Sequence, residues 1–158
     1  EKALIEVLYS TGCRLSEASA LNISGIDWQN RSIKVWGKGN KERLVFFSAR
    51  AAIYLRKYLD SRADNCEALF VTERKPYRRM SNRAIQREVT NVGKRAKLSK
   101  SIHPHVLRHT FATLMINKGC PMSVVQELLG HDDLATTQTY TSVTYEHKHH
   151  SYEKYFHQ

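Results

Sequence analysis

Hydrophobic positions along the chain fall into two rhythms. Between residues 2 and 10, Ala3, Leu4, Val7 and Leu8 repeat at helical spacing, and Thr11-Gly12 interrupts them. Glycine suits a helix end, where the backbone turns left-handed. A second short helix is expected around Leu15, Ala18 and Leu21, with Ser16 as its N-cap. Arg14 then lies at the junction, a position that can point a charged side chain into a cleft. From Ile26 the rhythm shortens to β-rich runs at residues 26–28, 32–36 and 43–47. Gln29-Asn30-Arg31 and Gly37-Lys38-Gly39-Asn40-Lys41 supply the turns, so the runs predict a small antiparallel sheet of three strands. Lys38 sits on the glycine-flanked turn, as either a solvated hairpin lysine or a mobile group that approaches a ligand.

Helical spacing resumes over residues 49–59, with Ala52, Ile53, Leu55 and Leu59 as the inner face. Residues 60–80 are polar and basic apart from an apolar run at 68–71, which reads as an extended segment. Ser81 is placed to cap a helix reaching Lys97, with Ile85, Val89, Val92 and Ala96 inside and Arg83, Arg87, Lys94, Arg95 and Lys97 outside. Pro104 ends what precedes it and restricts His103. Beyond it Leu107, Phe111 and Leu114 share one face of a further helix. Gly119 ends that helix and Pro121 opens the next near N1, with Val124, Val125, Leu128 and Leu129 buried and Gly130 as the stop. His131 follows directly, and Asp132-Asp133 are candidate caps for a helix through Tyr140. Residues 145–158 are polar, rich in histidine and tyrosine, and only weakly periodic. The class expected is mainly α with a small three-stranded antiparallel β-sheet (α+β).

At 158 residues the chain is one domain long. Lys plus Arg number 25 against 15 Asp plus Glu, a net charge of +10 with a pI near 9.7. That imbalance points to a polyanionic partner, by default nucleic acid. Cys13, Cys66 and Cys120 form no CxxC pair and no zinc pattern, so they read as reduced thiols. The histidines of the tail lack cysteine or carboxylate at ligand spacing, and no carboxylate cluster suits two Mg²⁺. No metal and no other cofactor is therefore expected. No apolar run reaches the ~18 residues of a membrane span, and no signal peptide is visible, which points to the cytoplasm. The chain starts without an initiator Met inside an amphipathic pattern and reads as a fragment of a longer protein.

Chemistry concentrates at the helix after Pro104. His105 and Arg108 are three apart at a helix start, where free N–H groups and the dipole favour an anion. They make either a phosphate site or a polar helix start with surface histidines. Arg74, Lys75, Arg78 and Arg79 cluster around Pro76 and Tyr77, as a loop against a phosphate backbone or a solvated loop. Arg83 and Arg87 form part of a helical stripe suited to DNA, and Lys41 and Arg43 add charge to the hairpin.

Five motifs join these residues: Thr11-Gly-Cys-Arg14-Leu-Ser-Glu17, Gly37-Lys38-Gly39-Asn-Lys-Glu-Arg43, His105-Val-Leu-Arg108-His109-Thr-Phe-Ala-Thr, Leu129-Gly130-His131, and Tyr140 at the end of Thr136-Thr-Gln-Thr-Tyr. In this order the chain resembles the tyrosine recombinase (phage integrase) family over nearly its whole length. The resemblance implies the catalytic-domain fold of DNA breaking-rejoining enzymes. It implies one catalytic domain over residues 1–158 without the N-terminal core-binding domain, and a C-terminal tail or subunit-exchange segment at 145–158. The implied reaction is site-specific strand exchange through a 3′-phosphotyrosyl link. Tyr140 would be the nucleophile, with Tyr145 as the fallback. Arg14 and Arg108 would clamp the phosphate, Lys38 would be the general acid, His105 the base, and His131 a phosphate donor. Glu17 and His109 would support them. Lys41, Arg43, Arg74, Lys75, Arg78, Arg79, Arg83 and Arg87 are the expected DNA contacts. The implied partners are double-stranded DNA, a homotetramer on that DNA and accessory DNA-bending proteins, in a bacterial or phage setting at the nucleoid, with a mobile element favoured. Two other functions fit the same residues: type IB topoisomerase-like relaxation, and a DNA-binding module without catalysis.

Overall fold

Gly12 explains how the first helix meets the helix that carries Arg108. In this computed structural model, which describes residues 1–130 and 144–156, helix α1 spans Lys2–Thr11 and ends at Gly12, whose φ of 62° is left-handed. A Cβ at Gly12 would lie 2.6 Å from Cδ1 of Phe111, so only glycine lets helix α5 (Pro104–Asn117) pack this closely. Helix α2 spans Leu15–Ala20. Its N-cap is Arg14, not Ser16, because the Glu17 carboxylate accepts the Arg14 backbone N–H at 2.8 Å.

Strands β1 (Ile26–Asp27), β2 (Ser32–Trp36) and β3 (Glu42–Phe46) form the expected antiparallel sheet in the order β1-β2-β3. Ile33 pairs with Val45 and Val35 with Arg43. Period-two alternation buries Ile33 and Val35 while Lys34 and Trp36 face outward. The tight turn between β2 and β3 carries Lys38 at its exposed tip.

Helix α3 (Ala49–Asp60) starts where Ser48 Oγ accepts the Ala51 N–H. Ala51 and Leu55 are its buried positions, and Ile53, expected inside, is exposed because it lies about two 100° steps round from Ala51. Ser81 caps helix α4 (Asn82–Arg95) in the same way. That helix ends before Lys97, so Ala96 is exposed rather than buried. Helix α5 takes Pro104 at N1 and buries Phe111 and Met115, with Leu107 and Leu114 half-buried at the flank. Helix α6 (Met122–Leu129) begins after Pro121, its N-cap, and stops at the left-handed Gly130.

Two apolar cores form among the described residues. The first gathers α1, α2, the sheet, α3, residues 69–70 and α4. The second joins Phe46, Phe111, Met115 and the inner face of α6 to Tyr152 and Phe156. These last two belong to helix α7 (Tyr145–Tyr155) and its C-cap, where a weakly periodic tail was expected. Tyr145, His149, Tyr152 and Phe156 lie on one helix face, and His149 stacks on Phe46 with centroids 4.9 Å apart. The buried Tyr152 hydroxyl donates to the Ser10 carbonyl at 2.7 Å. His131, the Asp132-Asp133 cap and the helix through Tyr140 lie outside the described residues.

This docking makes α7 a load on stability. Tyr152→Ala should cost about 3–5 kcal/mol in urea unfolding, and Tyr152→Phe about 1 kcal/mol for the lost hydrogen bond. A Tyr152→Ala protein as stable as the parent would mean that α7 is not held on the domain.

Candidate active site

Glu17 is 2 % exposed and binds two arginines. Its Oε2 accepts the Arg14 backbone N–H and, at 2.7 Å, Nη2 of Arg43, while Oε1 accepts Nη1 of Arg14 at 3.3 Å. The end of α6 supplies the other half of the arrangement. The last carbonyls of a helix have no partner within it and carry partial negative charge. Arg43 Nη1 donates to the Leu128 carbonyl at 2.8 Å, Arg108 Nη2 to that of Leu129 at 2.9 Å, and Arg14 Nη2 to that of Gly130 at 2.9 Å. Three guanidiniums therefore cap three successive carbonyls. Arg108 also donates to the Gly12 carbonyl, which ties the end of α1 to the same point.

Among the described residues one carboxylate faces three guanidiniums, which leaves excess positive charge. Burial, and then the nearby Arg14 and Arg43, pull the Arg108 pKa down to about 10. It still carries its charge at neutral pH, and an anion beside it would relieve the crowding. Burial pushes the Cys13 thiol up to about 11, so Cys13 stays protonated and is not a nucleophile here.

A cleft of about 380 Å³ opens beside this cluster, lined by Cys13, Arg14, Leu15, Gln86, His103, Pro104, His105 and Arg108. Arg14 has 37 % of its side chain exposed, so it both binds Glu17 and faces the opening. His105 is exposed one turn before Arg108. The free amides expected at this helix start contribute little: Pro104 has no N–H, and those of Val106 and Leu107 donate to the His103 carbonyl. The positive charge facing the cleft is that of the Arg14 and Arg108 guanidiniums.

Other predicted site residues are distributed differently. Lys38 does not line the cleft, although the base of its hairpin adjoins the hub: a Cβ at Gly37 would lie 3.9 Å from Glu17 Oε1. His109, expected to support the cluster, is exposed. Arg43 is engaged inside the cluster and Arg79 inside the fold, where it donates to the carbonyls of Ser19 and Leu21 and to the Asn22 side chain. Neither presents its donors to a duplex. Lys41, Arg74, Lys75, Arg78, Arg83 and Arg87 are exposed. Arg74 and Arg87 share a groove of about 430 Å³ with Glu73 and Glu88. Glu1, Glu73 and Glu88 are close enough to share a cation, but Arg95 already pairs with Glu1 and Glu88 at 2.9 and 3.0 Å. His131 and Tyr140 lie outside the described residues. Gln86 and His103 line the cleft without having been expected there. A signal existed for both, since Gln86 follows Arg83 by one helical turn and His103 precedes Pro104.

The chain matches the phage integrase family over residues 1–147. It is 44% identical over 150 residues to tyrosine recombinase XerC of Shewanella oneidensis, a match that covers 93% of this chain and 48% of that protein. The crystal structure of XerA recombinase is similar with a TM-score of 0.75 and 37% identity, over 99% of this chain and 58% of that one. XerH site-specific recombinase, bound to its difH substrate in a pre-cleavage complex, is similar with a TM-score of 0.69 and 28% identity, over 85% and 40% of the two chains. The chain spans about half the length of the curated relatives it matches. A match running from the first residue past the position of Tyr140, on a fold shared with solved recombinases, makes this chain a member of the phage integrase family.

Proposed function

We propose that this chain is the catalytic domain of a site-specific DNA recombinase that cuts and rejoins strands through a 3′-phosphotyrosyl intermediate. The observation that carries the reading is the pair Arg14 and Arg108, held side by side at the end of α6 and opening on a cleft with His105. A guanidinium presents a planar fork matched to two phosphate oxygens and stays charged at neutral pH. Preorganised donors of this kind stabilise the charge that grows on the non-bridging oxygens in the transition state.

In the reaction Tyr140 Oη attacks phosphorus and the bond to the 5′-oxygen breaks. His105 takes the phenolic proton, and Lys38 gives a proton to the departing 5′-oxygen. His131 donates a hydrogen bond to the phosphate. Rejoining is the same step reversed, with a 5′-hydroxyl of the exchanged strand as attacker. The exposed hairpin tip suits a lysine that reaches the phosphate when a duplex lies over the cleft. Glu17 acts by holding Arg14. The partners are double-stranded DNA, further copies of the chain in a homotetramer, and accessory DNA-bending proteins. The segment 145–158, docked through α7 on its own domain, would exchange onto a neighbouring subunit, and the biological setting is a bacterial or phage mobile element. Capture of the similar XerH site-specific recombinase on its difH substrate in a pre-cleavage complex is consistent with a duplex as partner.

The covalent link is the direct test, made with the intact protein and a nicked duplex whose sequence is selected by binding from a randomised pool. The parent should form an adduct that survives denaturation, and Tyr140→Phe should form none; an adduct in Tyr140→Phe would remove the nucleophile assignment. Arg108→Lys should lower the cleavage rate by about 10²–10³-fold, since an ammonium replaces an aimed fork. Salt dependence separates the surface arginines. Arg83→Ala and Arg87→Ala should each reduce the slope of log K against log salt by about 1. Arg79→Ala should lower the melting temperature and leave that slope unchanged, and the reverse pattern would return Arg79 to the DNA surface.

A further inference from the structure

We infer that Arg43 is a positioning residue for strand cleavage, setting where Arg14 and Arg108 meet the scissile phosphate; this rests on the recombinase reading above. Arg43 stands on β3, in the hairpin that carries Lys38, and 14% of its side chain is exposed. One edge of its guanidinium holds Glu17 Oε2 and the other holds the Leu128 carbonyl. Its Nε is buried with no partner among the described residues. It faces Gly130, where a Cβ would come within 2.5 Å of that nitrogen. The glycine that stops α6 thus also leaves room for this side chain.

Each anchor leads to a phosphate-binding arginine. Glu17 orients Arg14 through its backbone and its side chain. The α6 end, pinned at Leu128, offers its next two carbonyls to Arg108 and Arg14. Arg43 is the one described side chain that bonds both Glu17 and the end of α6 while belonging to the sheet. It fixes the distance between the two anchors, and through them the spacing of the guanidinium pair. Lysine cannot replace it: an ammonium is a single point of charge and cannot hold a carboxylate and a carbonyl on opposite edges. Nη1 and Nη2 are bonded within the fold and the remaining Nε is buried, so the side chain is turned into the domain rather than out toward a duplex.

The test measures single-turnover cleavage and duplex affinity separately, in the intact protein on the selected nicked duplex. Arg43→Lys should slow cleavage by about 10- to 100-fold, as expected for a misplaced reacting group, with affinity changed less than about threefold, a shift under 0.7 kcal/mol. A second substrate carries sulfur at the bridging 5′ position, which leaves as a thiolate without needing a proton. It should restore Lys38→Ala and fail to restore Arg43→Lys, because Arg43 acts on the phosphate and not on the leaving group. Should Arg43→Lys not fold by thermal melting, Arg43→Gln is read in the same assays. Parental cleavage in the variant overturns the inference, as does a loss confined to affinity or a full rescue by sulfur. Absence of any adduct from the parent overturns the recombinase reading and this inference together.

Discussion

Three arginines sharing one helix end is the arrangement on which the rest of the structure depends. Two unit charges about 4 Å apart near a protein surface repel by about 4 kcal/mol. Guanidiniums gathered this closely persist only where something negative holds them. Among the described residues the counter-charge comes from the buried Glu17 carboxylate and the partial charge of the last α6 carbonyls, roughly half an electron for a helix end. Neither balances three full charges. Burial first, and then the neighbouring Arg14 and Arg43, draw the Arg108 pKa down to about 10. A phosphate diester, the substrate proposed above, would bring negative charge to this cluster.

The fold is arranged to deliver the groups to that point. Arg14 comes from the turn between α1 and α2, Arg43 from β3, Arg108 from α5, and the carbonyls from α6. Two glycines make the approach possible. Gly12 lets Phe111 sit against the α1–α2 turn, and Gly130 lets Arg43 lie against the end of α6. The two apolar cores brace the site from either side, one under the sheet and one under α6, with α7 completing the second. Removing Glu17 would take the carboxylate from Arg43, which is 14% exposed, and from the more open Arg14, leaving each with its α6 carbonyl alone.

Much of this was legible in the sequence, for reasons that differ by element. The helices of Val7, Ile85 and Phe111 follow from apolar spacing, and the sheet from β-rich runs separated by turn residues. Arg14 and Arg108 stand out because each sits at a helix start. Ser16 misled because a serine before an apolar run ordinarily caps it, and here Glu17 reaches back to the Arg14 amide instead. Helix α7 escaped because its buried face is aromatic and includes His149, which counts as polar in any hydropathy pattern. Arg43 and Arg79 read as DNA contacts because an arginine among other basic residues gives no sign of whether backbone carbonyls await it. Those acceptors have no sequence signature beyond the glycine that stops α6.

The proposed function requires Arg14 and Arg108 to form a single phosphate site at the end of α6. A crystal structure of the protein with orthovanadate, a phosphate mimic, tests it most directly. Vanadate is expected in the cleft, with oxygens within about 3 Å of both guanidiniums and His105 beside it. Vanadate bound elsewhere on the basic surface, with the cleft between Arg14 and Arg108 holding none, would contradict it.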